Sequence, residues 1–336
     1  MAEKTITIAL DAMGGDNAPA ATVVGALEAL TKDASLKILL FGQEEAIAAE
    51  LAGKTYDASR LEVVPASEVI EMAEHPVAAI RHKKDSSIVL ALNAVKEGRA
   101  DAFVSAGSTG AVLVGGQLIV GRIKGVERTP IGALYPTVSG MALLLDSGAN
   151  MDPRVGNIVQ YAVMGSIYME SLGVKNPKVG LLNIGAEEEK GNAFYIEAHQ
   201  ALKSAQGINF AGNIEARDFA AGKVDIVVCD AFTGNIMLKG FEGTAGVLLG
   251  LIKQTLMTNL RTKIGALLIK PALKKTLKKM DASEYGGAPL LGAKGLIVKT
   301  HGSASAKEVS NTILQCRTFI EQDIVGKIEA AVTAQA

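Results

Sequence analysis

The sequence predicts an α/β fold, a three-layer α/β/α sandwich whose mainly parallel sheet is covered by helices on both faces. Three observations carry that expectation. Apolar runs of strand length recur along the 336 residues, at about 5–10, 36–41, 61–65, 101–105, 131–135, 139–145, 178–184, 208–212, 224–229 and 295–300. Segments of helical period separate most of them, and strand–helix alternation marks a parallel sheet. The chain is 49% apolar but only 4% aromatic and has no Trp, so the core is aliphatic, which suits strands buried on both faces.

Thr5-Ile6-Thr7-Ile8-Ala9-Leu10 alternates up to Asp11 and reads as a first strand rather than as a signal peptide. Ala20 to Leu30 is the first helix, and Ser87 to Lys96 the next long one. Residues 102–121 carry no charge for twenty positions, enough on length alone to span a membrane. Five glycines lie among them, with Ser105, Ser108, Thr109 and Gln117, which favours a buried strand followed by a Gly-rich helix. Only Pro136-Thr137-Val138 separates the next two runs, too short for a parallel crossover, so a hairpin at a sheet edge is expected. Arg154–Leu172, Asn192–Lys203 and Ala306–Ile320 supply further helices. This length allows one large unit or two smaller ones. No repeat or Ser/Pro-rich linker divides the chain, so residues 1–336 are expected to form a single α/β/α unit with a cleft.

Charge and cysteine content exclude several function classes. Lys plus Arg number 34 against 35 for Asp plus Glu, a net charge of −1, so no global nucleic-acid-binding surface is expected. The scarcity of aromatics disfavours stacking on bases. Cys229 and Cys316 suffice for neither a disulfide framework nor a four-ligand zinc site, which fits a reducing cytoplasm. Cys229 ends the run Val224-Asp225-Ile226-Val227-Val228, where a packing cysteine is commoner than a nucleophile. Asp11, Asp16 and Asp230 could share a divalent metal, but capping of helix N-termini is the better explanation, and no metal is expected.

Four strands run into polar, Gly-rich loops, each opening a helix: 11–19, 105–110, 183–191 and 229–235. In a parallel sheet such loops collect at the carboxyl edge, where ligands of open α/β folds bind and where loop N–H groups hold anions. The first loop reads Met13-Gly14-Gly15-Asp16-Asn17 and lacks the dinucleotide fingerprint. The nearest approach to a P-loop, Gly287 to Lys294, has the wrong spacing and precedes a strand.

These loops carry a family resemblance. Ile8 to Pro19, Val104 to Ala111, Asn183-Ile184-Gly185 with Glu188, Lys190 and Gly191, and Asp230 to Asn235 together closely resemble the bacterial PlsX-type phosphate acyltransferases. The likeness spans nearly the whole chain. It implies a fold similar to phosphotransacetylases and isocitrate-dehydrogenase-like enzymes, a homodimer, and no organic cofactor. The implied reaction converts acyl-ACP and inorganic phosphate reversibly to acyl phosphate and free acyl carrier protein. A membrane glycerol-3-phosphate acyltransferase then uses the long-chain acyl phosphate for phosphatidic acid synthesis. Phosphate is expected at the amides and side chains of Asp11, Gly14, Gly15, Asp16, Gly107, Ser108, Thr109 and Asn183. Lys190 or Asn235 is expected to stabilise the oxyanion, and His75, before Pro76, to carry the thiolate's proton.

Between Lys253 and Lys279 lie eight cations and no acid. Apolar residues alternate with them at helical spacing, while Gly265 and Pro271 interrupt the pattern. A protruding amphipathic hairpin at 247–280 is expected, turning at Ala266-Leu267-Leu268-Ile269. Arg261, Lys263, Leu267, Leu268, Ile269, Lys270, Lys274 and Lys275 are its candidate contacts with an anionic membrane or with acidic acyl carrier protein. Peripheral attachment to the inner face of the cell membrane follows as an expectation. The plain alternative is a helix pair packed on a dimer mate. Two other readings of the chain stay open: an isocitrate-dehydrogenase-like oxidoreductase and a non-catalytic lipid-binding module.

Overall fold

A computed structural model describes residues 5–279 and 286–335. The first third of the chain runs β1 (Ile6–Asp11), α1 (Ala20–Lys32), β2 (Leu36–Gly42), α2 (Glu44–Leu51), β3 (Leu61–Pro65), α3 (Pro76–His82), α4 (Ser87–Lys96), β4 (Ala102–Ser105) and α5 (Thr109–Gly115). A wider helical turn, Gly116–Val120, extends α5. The middle runs β5 (Ala133–Thr137), β6 (Gly140–Leu145), α6 (Val155–Ser171), β7 (Lys178–Leu182), α7 (Ala193–Ser204), β8 (Asn209–Ile214), α8 (Ala216–Ala220), β9 (Ile226–Val228), α9 (Ala231–Leu256) and α10 (Leu260–Lys279). The chain then returns through β10 (Ala288–Pro289), β11 (Leu296–Lys299), α11 (Ala306–Glu321) and α12 (Ile324–Gln335).

Among the described residues the strands form two sheets, ordered β10-β11-β4-β1-β2-β3 and β5-β6-β9-β7-β8. Pairing is parallel except at the edges, where β10 meets β11 and β5 meets β6 antiparallel. The β5–β6 hairpin is the edge hairpin expected from its short connection. Periodicity does not reveal which strands pair, so the division into two sheets is not written in the alternation. The stretch at 102–121 is a fully buried strand followed by the Gly-rich α5, as its composition predicts.

One apolar cluster joins the two sheets. It includes Ile8 and Leu10 of β1, Leu143 and Leu145 of β6, Tyr161 and Tyr168 of α6, and Phe319 of α11. The Tyr168 and Phe319 rings meet edge-on at 5.2 Å, a favoured aromatic geometry. Helices α1 and α11 cross at Gly25, where a Cβ would stand 2.6 Å from the Ala306 carbonyl oxygen and 2.7 Å from Val309 Cβ. Arg317 of α11 closes the same contact with an ion pair to buried Asp33 at 2.7 Å.

The basic segment forms a helical hairpin, but its turn differs from the expected one. The chain reverses at Met257-Thr258-Asn259, not at Ala266–Ile269. Asn259 Oδ1 accepts from the Thr262 backbone N–H, and Thr262 Oγ1 accepts from the Asn259 N–H, both at 3.1 Å. That reciprocal cap starts α10. Gly265 and Pro271 therefore lie inside the helix, Gly265 half-buried and Pro271 exposed, where water can solvate the carbonyl that Pro leaves without a donor. Residue 280, the last of the expected hairpin span, lies outside the described residues. Among those described, α9 is the one helix long and apolar enough to cross a membrane by length and composition.

Gly25→Val is expected to overpack the α1–α11 crossing and destabilise the fold by about 1–3 kcal/mol. A urea midpoint equal to that of the wild type would show that the two helices can part at no cost.

Candidate active site

Asp11 ends β1 with 0% of its surface exposed. Its Oδ2 accepts from the Ser105 hydroxyl at 2.7 Å and its Oδ1 from the Met13 N–H at 3.1 Å. Ser105 in turn accepts from the Gly107 N–H at 2.9 Å, which ties the loop after β4 to the loop after β1. Burial drives the Asp11 carboxyl above the ordinary range, against the hydrogen bonds from Ser87, Ser105 and Met13 and the charge of Lys299. Asp11 thus organises loops rather than capping a helix, contrary to the capping expectation.

The loops close over this carboxylate too tightly for side chains. A Cβ on Gly14 would lie 2.3 Å from Asp11 Oδ2 and 2.6 Å from the Gly107 nitrogen. Gly15 has φ +99°, and a Cβ there would meet the Gly302 carbonyl oxygen at 2.7 Å. The Asp16 N–H donates to that same carbonyl at 2.8 Å, and Asn17 Nδ2 donates to the Ser303 carbonyl at 3.0 Å. A third strand-end loop, 299–304, therefore interlocks with the first two.

That loop starts at Lys299, in register with Ser105 and only 9% exposed. Its ammonium donates to the Ala106 carbonyl at 3.1 Å and to the Thr300 carbonyl. Burial pulls its pKa down to about 8, and the charges of Asp11 and Asp16 act in the opposite direction. Sequence reasoning missed Lys299. The available signal was a fifth polar, Gly-containing loop after an apolar run, Thr300-His301-Gly302-Ser303, preceded by a cation.

The second sheet supplies the facing wall. Asp146, buried after β6, accepts from the backbone N–H groups of Ile131, Gly148, Ala149 and Asn150 and from Asn150 Nδ2, at 2.7–3.2 Å. Burial nevertheless pushes its carboxyl upward. The Asn150 carbonyl accepts from the Ala231 N–H at 2.9 Å, which anchors the start of α9. Asp230 caps that helix through the Thr233 N–H at 2.8 Å, as expected, and also accepts from Tyr195 Oη at 2.5 Å. A Cβ on Gly234 would lie 2.1 Å from the Asp146 carbonyl oxygen, so the first turn of α9 sits directly on the Asp146 loop. Cys229 is buried with its thiol pushed well up, first by burial and then by Asp230 and Asp146, which suits packing rather than nucleophilic attack.

Between these walls lies a cleft of about 1640 Å³. One end is polar, with Asp16, Thr109, Asn235, Lys299 and His301; the other is apolar, with Leu134, Tyr135, Leu238, Phe241 and Leu249. Of the expected residues, Asp16, Thr109 and Asn235 line the cleft. Asp11, Gly14, Gly15, Gly107 and Ser108 build the loops behind it, Ser108 as the cap of α5.

Other expected residues lie apart. Asn183 lines a second cavity of about 660 Å³ and donates through Nδ2 to the Lys190 carbonyl at 3.0 Å. Lys190 itself is exposed and lines neither cavity. His75 is exposed ahead of α3 and makes no side-chain cap, while Pro76 occupies the space beside Gly110. Lys270 and Lys274 line the cleft from α10, whereas Arg261, Lys263, Leu267, Leu268, Ile269 and Lys275 are exposed along that helix. Among the described residues, no group of three or more His, Cys, Asp or Glu could hold a metal ion.

Comparison with known proteins agrees with this architecture. A family model described as "Fatty acid synthesis protein" matches residues 6–327. A phosphate acyltransferase of Clostridium acetobutylicum is 49% identical over 96% of this chain and 97% of its own length. Another, from Alkaliphilus oremlandii, is 47% identical over 97% of each. A phosphotransacetylase from Streptococcus pyogenes superposes with a TM-score of 0.63 over 94% of both chains at 17% identity, a likeness of fold. Matched along nearly its full length, the chain belongs to the fatty acid synthesis protein family, among relatives that are phosphate acyltransferases.

Proposed function

We propose that this acyltransferase moves an acyl group from acyl carrier protein to inorganic phosphate, releasing acyl phosphate and the carrier's free thiol. One observation carries the reading: a single cleft joins a buried lysine and anion-ready loops to a long apolar groove. Phosphate fits the polar end, beside Thr109 and the 300–303 loop and within reach of the Lys299 ammonium. A phosphate oxygen attacks the thioester carbonyl, the C–S bond breaks from the tetrahedral intermediate, and the thiolate takes up a proton. A thiol with a pKa of ~8.5 is a fair leaving group, so positioning outweighs acid–base help. The Asn235 side-chain amide is suited to the developing oxyanion, a role worth on the order of 3 kcal/mol. Lys299 rather than Lys190 supplies the cation in this scheme, because Lys190 lines neither cavity.

The hairpin fits reversible docking on an anionic membrane, where a membrane glycerol-3-phosphate acyltransferase would consume the product. Leu268 is 78% exposed and Leu267 69%, on a helix that carries Arg261, Lys263, Lys270, Lys274 and Lys275. Each cation near an anionic surface contributes up to ~1 kcal/mol, and each aliphatic side chain about 1.5–3 kcal/mol at full burial. Several weak contacts of this kind give attachment that salt loosens.

Purified protein given acyl-ACP and phosphate is expected to form acyl phosphate and free thiol without nucleotide or nicotinamide. Strict dependence on a nicotinamide, read by its absorbance, would favour the oxidoreductase instead. Lys299→Met is expected to lower kcat/KM for phosphate at least tenfold, about 1.4 kcal/mol. Wild-type kinetics in that variant would remove Lys299 from the mechanism. The working form of Lys299 is the cation, present below its pKa. Phosphate use in the wild type should therefore decline as pH rises through about 8, and a flat profile to pH 10 would contradict the assignment. Leu268→Glu should release the protein from anionic vesicles while synthesis in solution continues. Normal vesicle binding with a dissociated oligomer would place that face in a subunit interface.

A further inference from the structure

The apolar half of the cleft has a shape the transfer reaction alone does not require. Its α9 side presents Leu238, Phe241, Ala245, Leu248 and Leu249, spaced to fall along one helix face. Leu134 and Tyr135 of β5 continue this wall, and Leu273 of α10 also lines the groove. The Tyr135 ring is held at 5.0 Å from Phe241 and 5.3 Å from Phe219, which makes this wall a packed aromatic surface. From Asn235 at the polar end to Leu249, α9 rises about 21 Å at 1.5 Å per residue. The charged residues along this stretch, Lys239 and Glu242, pair with each other at 2.7 Å, and Lys270 and Lys274 are exposed, so the groove, continuous with the polar end, suits an occupant polar at the head and apolar along a tail of that reach. A long aliphatic chain joined to a thioester or phosphate meets both conditions.

We propose that this groove is the acyl-chain channel, that the chain lies lengthwise along α9, and that the Ala245 position sets how long a chain is accepted. The assignment rests on the phosphate acyltransfer reading and adds to it the location and chain-length control of the acyl group. Ala245 is the smallest side chain on the groove face, ten residues and about 15 Å beyond Asn235. A butyryl chain ends well short of it, whereas a palmitoyl chain must pass it.

The test uses the full chain with butyryl-, octanoyl- and palmitoyl-thioesters of acyl carrier protein, and reads acyl phosphate formed. Ala245→Trp is an exposed change that leaves the core untouched. It is expected to cut the palmitoyl-to-butyryl ratio of kcat/KM at least tenfold. Val247→Trp, on the same helix but outside the groove lining, is expected to keep the wild-type ratio. An unaltered ratio in Ala245→Trp, or an equal fall in both variants, would overturn the channel. So would a change in sedimentation with no change in ratio, which would mark the groove as a contact between copies. A wild-type protein that makes acyl phosphate from none of the three would instead overturn the reaction itself.

Discussion

The site depends on one carboxylate sealed from water at the end of a strand. Asp11 cannot be hydrated where it lies, so every oxygen lone pair it offers must be met by the protein. Ser105, Met13 and Ser87 answer from three separate segments, and the nearby Lys299 ammonium balances the charge. Satisfying those bonds draws the loops after β1 and β4 so close that only glycine fits at position 14. The small residues that mark these loops are consequences of that closeness, not merely of a need for turns.

The two sheets do different work around this centre. The first supplies a buried charge pair and loop amides, a setting in which an anion can be desolvated without meeting an uncompensated cation. The second supplies a carboxylate, Asp146, that spends its oxygens on five N–H groups and thereby fixes the loop against which α9 begins. Because one aliphatic core runs through both sheets, the facing walls are held in register by packing rather than by contacts across the cleft.

Much of this was legible in the residues. Alternating apolar runs and helical segments announced the parallel sheets, three intervening residues announced the β5–β6 hairpin, and glycines within 102–121 distinguished a buried strand and helix from a span. The misses share a cause: each depended on a partner distant in sequence. Lys299 looks like any cation after a strand until β11 pairs with β4 and brings it beside Asp11. Lys190 and Asn183 share the loop type of the site residues, yet the loop after β7 puts Asn183 at another cavity and leaves Lys190 exposed outside both. The breakers Gly265 and Pro271 point to a turn at Ala266–Ile269, whereas the short side-chain exchange between Asn259 and Thr262 decides it. A breaker weakens a helix, but a cap fixes where the next one starts. The short helices α2, α3 and α8 carry too few turns to show a period at all.

Helix α9 is held like a beam clamped at one end. Ala231, Gly234 and Met237 are buried at its root, Gly234 flush against the Asp146 carbonyl, and the turns beyond Phe241, whose ring still meets Tyr135, are exposed. Over 26 residues the beam is about 39 Å long. Tilting about the clamp moves the far turn at Met257 most and Asn235, one turn from the pivot, least. The outer end can therefore conform to whatever it rests on while the chemistry at the root keeps its geometry.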